Sequence, residues 1–210
     1  MIRFLLAFLA VLGSAAPAAA GQEDPRWSAI GAEDRKVQWP AESLAATPHL
    51  AEGFSGPLGY RVERYFWRAQ KPAGAFGIVV LRDLRGDDHY LSGPVDLMKF
   101  AVTVLKGLEA PSPQALEAKD QLLRTASGMA HARRFELGAR ECLAIGLYAG
   151  PDGKGNTKDM PLTEGSLRLD GVYCATAGEK MTPERAAAAA QALRIGLAEE
   201  AKPATAAKKK

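Results

Sequence analysis

The chain has 210 residues, 47% of them hydrophobic and 24% charged, with a formal net charge of +3. These proportions exclude a collagen-like chain, a wholly disordered one and a multi-pass membrane protein. Two cysteines are too few for a disulfide-dense miniprotein, and the length suits one domain, or two small ones, folding without a metal.

Residues 1–20 read as a secretory signal peptide. Arg3 supplies the positive start, Phe4 to Leu12 form an uncharged apolar run, and Ala18, Ala19 and Ala20 satisfy the small-x-small cleavage rule. The run is too short to span a hydrocarbon core of about 30 Å. The mature chain is expected to begin near Gly21, with no cysteine there to carry a lipid. Export to the periplasm or the medium implies an oxidising compartment, where ATP and NAD are scarce.

Residues 21–58 are rich in Gly, Pro, Ala and charge and read as an N-terminal arm over a domain of residues 59–200. Trp27 and Trp39 read as arm anchors, or alternatively as a ligand-stacking surface, and a short helix is expected near Ala41 to Ala46. Tyr60 to Arg68 is aromatic and β-branched, which predicts a strand ended by Pro72 and Gly74. Ala75 to Leu81 is a continuous apolar run that predicts a central strand covered on both faces. The two are expected to pair as a hairpin, followed by a charged turn from Arg82 to His89.

Pro94 to Leu108 has the clearest helical spacing, with Leu97, Met98, Ala101, Val104, Leu105 and Leu108 on one wide apolar face. A second helix is expected from Ser112 as cap and Pro113 at its first position to Thr125 or Ala126. Met129 to Leu137 and Arg140 to Tyr148 predict a hairpin turning at Gly138-Ala139. After the glycine-rich loop 150–164, Ser166 to Ala175 predicts another strand. Thr182 caps a final helix with Pro183 first, Glu184 near its positive end, and Ala186, Ala189, Ala190, Leu193 and Leu197 on its packing face.

The expected order is β-β-α-α-β-β-β-α: one α+β domain of two layers, an antiparallel sheet covered by helices on one face. Residues 201–210 read as a disordered basic tail. Lys202 to Lys210 hold four lysines and no acid, so the sequence pI of about 8.9 belongs to the tail and not to the domain.

Cys142 and Cys174 fall on successive predicted strands and are expected to form a disulfide. Such a bridge would contribute roughly 3–4 kcal/mol in the chain-entropy model. No Cys-x-x-Cys motif points to redox chemistry, and two thiols without nearby histidines do not make a zinc site. The histidines are His49 in the arm, His89 in the turn after Asp87-Asp88, and His131 on a strand. His131 is a candidate base without an evident nucleophile, and Asp87, Asp88 and His89 are a weak candidate for a cation. The loop from Gly150 to Lys158 looks like a phosphate cradle but has Asn156 where a P-loop needs lysine. Arg133, Arg134 and Arg140 around the hairpin read as a solvated strand face or a local anion patch. Lys208, Lys209 and Lys210 could touch an anionic envelope surface weakly.

Glu141-Cys142-Leu143, with Leu169-Asp170-Gly171-Val172-Tyr173-Cys174-Ala175, Gly178 and the Thr182-capped helix, resembles small exported proteins of unknown function from alphaproteobacteria. The likeness spans the last third of the chain. It implies an exported protein with a paired-cysteine sheet, and it transfers no activity, cofactor or catalytic residue.

The expectation is therefore an exported periplasmic binding or interaction module without catalytic activity, cofactor or metal. Its partner would be a periplasmic protein or small molecule and not a nucleic acid. One alternative is a periplasmic hydrolase sited near His131 or Asp87 and His89. Another is an envelope-associated structural protein held by its lysine tail.

Overall fold

The computed structural model describes residues 27–41, 44–56, 60–69, 74–84, 91–93, 95–106, 112–156 and 162–196. The expected leader 1–20, the tail 201–210, the Asp87–His89 turn, Pro94, Leu108 and Leu197 lie outside the described residues. The strands are β1 (Ser28–Ala29), β2 (Val37–Gln38), β3 (Leu50–Ser55), β4 (Arg61–Arg68), β5 (Phe76–Asp83) and β6 (Leu91–Ser92). Helix α1 (Leu97–Leu105) follows, then β7 (Gln114–Ala115), β8 (Gln121–Thr125), β9 (Gly128–Leu137), β10 (Arg140–Ala149), β11 (Glu164–Gly165) and β12 (Leu167–Cys174). Helix α2 (Pro183–Ala192) and β13 (Arg194–Ile195) close the order.

Nine strands form one antiparallel sheet in the order β1-β3-β4-β5-β12-β10-β9-β7, with β8 also on β9. β4 and β5 make the expected first hairpin, and β9 and β10 the second, turned by Gly138 in the left-handed region at φ 60. β12 inserts between β5 and β10 and joins the two hairpins into one sheet.

Because side chains alternate across a strand, each central strand feeds two cores. Tyr65, Trp67, Val79, Leu81, Ile145, Leu169 and Tyr173 point to one face, where Trp39 and the alanines of α2 cover them. Cys142, Ala144, Val172 and Cys174 point to the other, under Leu97, Phe100, Ala101 and Leu105 of α1. Asp96 caps α1 by accepting the Lys99 backbone N–H at 2.9 Å. Thr182 caps α2 with Pro183 in its first turn, as its sequence signals require.

The expectation of a two-layer α+β domain is overturned. The described residues are 47% strand and 14% helix, and the two helices lie on opposite faces of the sheet. The helix expected over 112–126 is replaced by β7, a bent stretch and β8. The outer edge of β9 offers unpaired backbone groups, and β7 and β8 satisfy them. Thr125 and Gly128 close the β8–β9 hairpin: the Thr125 hydroxyl accepts the Ser127 N–H and donates to Gly128 O, and Gly128 has φ 137. Leu116 and Leu122, which suggested an apolar helical side, are 42% and 44% exposed.

The residues read as an arm contribute β1 and β3 to the sheet, and β2 pairs with β13. Of the short helix expected near Ala41 to Ala46, residues 42 and 43 lie outside the described residues, and Leu44 N–H donates to Ala41 O. Trp39 is the anchor the sequence suggests. Its ring lies over Gly77 and Gly171 on adjacent strands, where an added Cβ would come within 3.4 Å of it. Trp27 packs on Phe54 and carries the Arg64 guanidinium over its ring at 4.1 Å.

Cys142 and Cys174 are bonded and directly opposite in the β10–β12 register, both fully buried beneath α1. Ala175 N–H donates to Glu141 O beside them, which makes the cysteines a non-hydrogen-bonded pair, the closer of the two cross-strand geometries. The loop they close spans a separation of 32 residues. Among the described residues no helix is long and apolar enough to cross a membrane.

Replacing both cysteines by alanine is expected to lower the unfolding free energy by roughly 3–4 kcal/mol. Urea denaturation of the oxidised protein beside the double variant measures this, and coincident curves would refute it. Gly146 on β10 tests the seat of α1, since a Cβ there would stand 2.3 Å from Val95 Cγ1. Gly146→Val is expected to cost about 1–3 kcal/mol by overpacking. An unchanged melting temperature would show that Val95 moves aside freely.

Candidate functional site

Helix α1 covers only part of its face of the sheet. At its N-terminal side the sheet shows a row of polar side chains in place of apolar ones. In the register Tyr148 of β10 stands opposite Arg168 of β12, and Arg168 stands opposite Arg82 of β5. Two like charges directly across a ladder repel. Asp170, two residues along β12 on the same face, resolves the conflict. Its carboxylate is fully buried and accepts from both arginines, through Arg82 Nη1 and through Arg168 Nε at 2.9 Å and Nη2 at 3.2 Å. Arg168 Nη1 also donates to the Tyr148 hydroxyl at 3.0 Å, and that hydroxyl donates to Gly93 O at 3.0 Å. Gly146 lies opposite Asp170 and leaves room for the carboxylate.

A cleft of about 420 Å³ opens over this network, lined by Arg82, Asp96, Lys99, Phe100, Thr103, Arg168 and Asp170. Its floor is β5 and β12, and its wall is the first two turns of α1. Burial works against the Arg168 charge, but the Asp170 carboxylate outweighs it and holds the guanidinium above its ordinary pKa. Asp96 is committed to capping α1. Arg82 keeps 38% of its side chain open to solvent.

Of the residues singled out in the sequence, Cys142 and Cys174 meet in the disulfide, below α1 and outside the cleft lining. His49 is exposed with its ring edge-on to Phe66. His131 is half-buried on β9, facing Gly146 on β10 and Leu122 on β8, and among the described residues no hydroxyl or carboxylate is bonded to it. Asp87, Asp88, His89, Lys208, Lys209 and Lys210 lie outside the described residues. The hairpin arginines do not converge. Arg133 pairs with Asp120, Arg134 with Glu117, and Arg140 donates to Gly74 O and Ala175 O. The described part of the glycine-rich loop is tied to the Ser127–Gly128 turn by Gly155 N–H to Ser127 O and Met129 N–H to Asn156 O. Among the described residues no three His, Cys, Asp or Glu side chains are placed to hold a metal.

Sequence reasoning passed over Arg82, Lys99, Arg168 and Asp170. The available signal was Arg168-x-Asp170 inside a strand whose alternate positions, Leu167 and Leu169, are apolar. Two charges on the second face of a buried strand require partners or a solvent-filled gap. The family models, the curated proteins and the solved structures compared with this chain contain no match to it.

A second charged cluster lies on the opposite face, at the end of the main core. Glu63 is fully buried. Tyr65 Oη donates to Glu63 Oε2 at 2.5 Å and accepts the Lys36 backbone N–H at 3.0 Å. Lys36 Nζ bridges Glu63 and Asp83 at 3.2 and 3.0 Å, and Arg61 Nε is 2.7 Å from Glu63. Lys36 and Arg61 balance the charges of Glu63 and Asp83, while Arg61 Nε and Glu63 Oε1 lie close without hydrogen-bond alignment. Burial first, and the Glu63 carboxylate second, push the Tyr65 phenol far above its ordinary value.

A phenol whose pKa is raised by folding contributes stability that is complete below the unfolded value of about 10 and is lost as pH rises beyond it. Tyr65→Phe is therefore expected to lose less stability than the wild type between about pH 9 and about pH 11. Urea midpoints across that window measure the difference, and parallel alkaline slopes would dismiss the role of Tyr65.

Proposed function

We propose that the protein is an exported binding module that works in the periplasm and takes its ligand in the cleft between β5, β12 and α1, without catalysing its conversion. The observation that carries this reading is the buried Asp170 carboxylate held by two arginines at the floor of an open, polar cleft. Rigid, mutually bonded groups of this kind present donors at fixed positions, as a recognition site requires. The same bonding speaks for binding over turnover. Asp170 is engaged by both arginines, Asp96 by the helix cap and Tyr148 by Gly93 O, so each is already committed to a structural bond. The apolar leader and the buried disulfide support the exported compartment, because such bridges persist where the surroundings are oxidising.

In-cell photocrosslinking tests the site. A photoreactive residue placed at Thr103, on the cleft rim, is expected to give a recurrent adduct by mass spectrometry when the protein is exported by its own leader. The same residue placed at the exposed Leu122 of β8 serves as the control. Equal labelling at both positions, or at neither, would reject the cleft as the binding site.

A further inference from the structure

We propose that the cleft selects a small organic monoanion, a carboxylate carried on an apolar body. This rests on the reading of the cleft as the binding site and assigns the chemical class of its ligand.

Charge comes first. The lining holds three cations, Arg82, Lys99 and Arg168, against two carboxylates, Asp96 and Asp170. Asp170 absorbs the inner side of both guanidiniums, and Arg168 turns its remaining contact to Tyr148. Asp96 accepts from the backbone of α1. One positive charge is left over. It falls on Lys99, whose ammonium meets no carboxylate among the described residues, and on the solvent-facing edge of Arg82. A surplus of one charge matches a monoanion better than a dianion, since a second negative charge would face the buried Asp170 carboxylate without compensation.

Shape comes second. The volume of about 420 Å³ falls in the range of small-molecule sites. Phe100 forms an apolar wall next to Lys99, with Thr103 one turn on. A carboxylate on Lys99 and Arg82 would place an attached ring or short alkyl chain against Phe100. The Thr103 hydroxyl donates to Lys99 O at 2.8 Å, which leaves its oxygen lone pairs at the rim.

The test is chemical-shift mapping on the exported, disulfide-bonded protein at low salt, with benzoate, its uncharged isostere benzamide, and inorganic phosphate as probes. Benzoate is expected to shift the amides of Lys99, Phe100, Thr103 and Arg168 saturably, and benzamide to bind at least about tenfold more weakly. Lys99→Gln is expected to weaken benzoate about tenfold while leaving the melting temperature unchanged, because Lys99 contributes only its backbone to the helix cap. Arg82→Gln is expected to weaken it in the same direction. No saturable shift, equal binding of benzamide, or unaltered affinity in Lys99→Gln would overturn the inference. Tighter binding of phosphate at the same amides would overturn the carboxylate assignment. A retained Thr103 adduct with no benzoate binding would sink the ligand class alone, whereas loss of both would remove the cleft as a site.

Discussion

The seat of Trp39 is the contact on which the main core depends. Its indole lies over Gly77 and Gly171, where two neighbouring strands lack side chains on that face. It meets Trp67 edge-on at 6.2 Å and Tyr173 at 5.9 Å, and its Nε1–H donates to Ala189 O at 2.8 Å. One side chain thus joins the N-terminal segment, the centre of the sheet and the C-terminal helix. The alanines of α2 serve the same geometry, because only small side chains let a helix backbone approach close enough to accept the indole proton. A large apolar ring with one polar atom suits this place, filling the recess and satisfying its donor together.

The strand β12 places the opposite face under a different constraint. It is central, so both of its faces are buried or nearly so, yet it carries Arg168 and Asp170. Buried charges persist when they are paired and bonded, and here the pair is widened by Arg82 across the ladder and by Tyr148 behind it. Helix α1 starts where this polar row ends and covers the disulfide and its apolar neighbours beyond it. The cleft is the step between the two regions. The site and the stabilising bridge therefore share one strand, Cys174 at one end and Arg168 near the other.

How much of this was legible in the sequence follows from how local each signal is. The hairpins β4–β5 and β9–β10 were readable because turn residues and apolar runs sit side by side in the chain. The disulfide was readable because two cysteines on strands that can pair, with no Cys-x-x-Cys motif and no nearby histidines, have few other uses. Helix α2 was readable from Thr182 and Pro183. The segment 112–126 misled because Leu116, Leu122 and Leu123 fit a loose helical spacing, while the open edge of β9 that recruits it appears only once the sheet exists. Thr125, Ser127 and Gly128 were the local clue to a tight hairpin there.

The amino-acid sequence by itself determined the central strands, the N-cap of the last helix and the cysteine pairing, since each depends on residues close together or on chemistry with few alternatives. Tertiary structure alone decided that the helices lie on opposite faces, that the N-terminal segment joins the sheet, and that Arg82, Lys99, Arg168 and Asp170 meet. Those four come from β5, α1 and β12, far apart in the chain, and their convergence is set by strand register and by where α1 docks. Register is a long-range property, because one strand's face is defined only by the neighbour it pairs with.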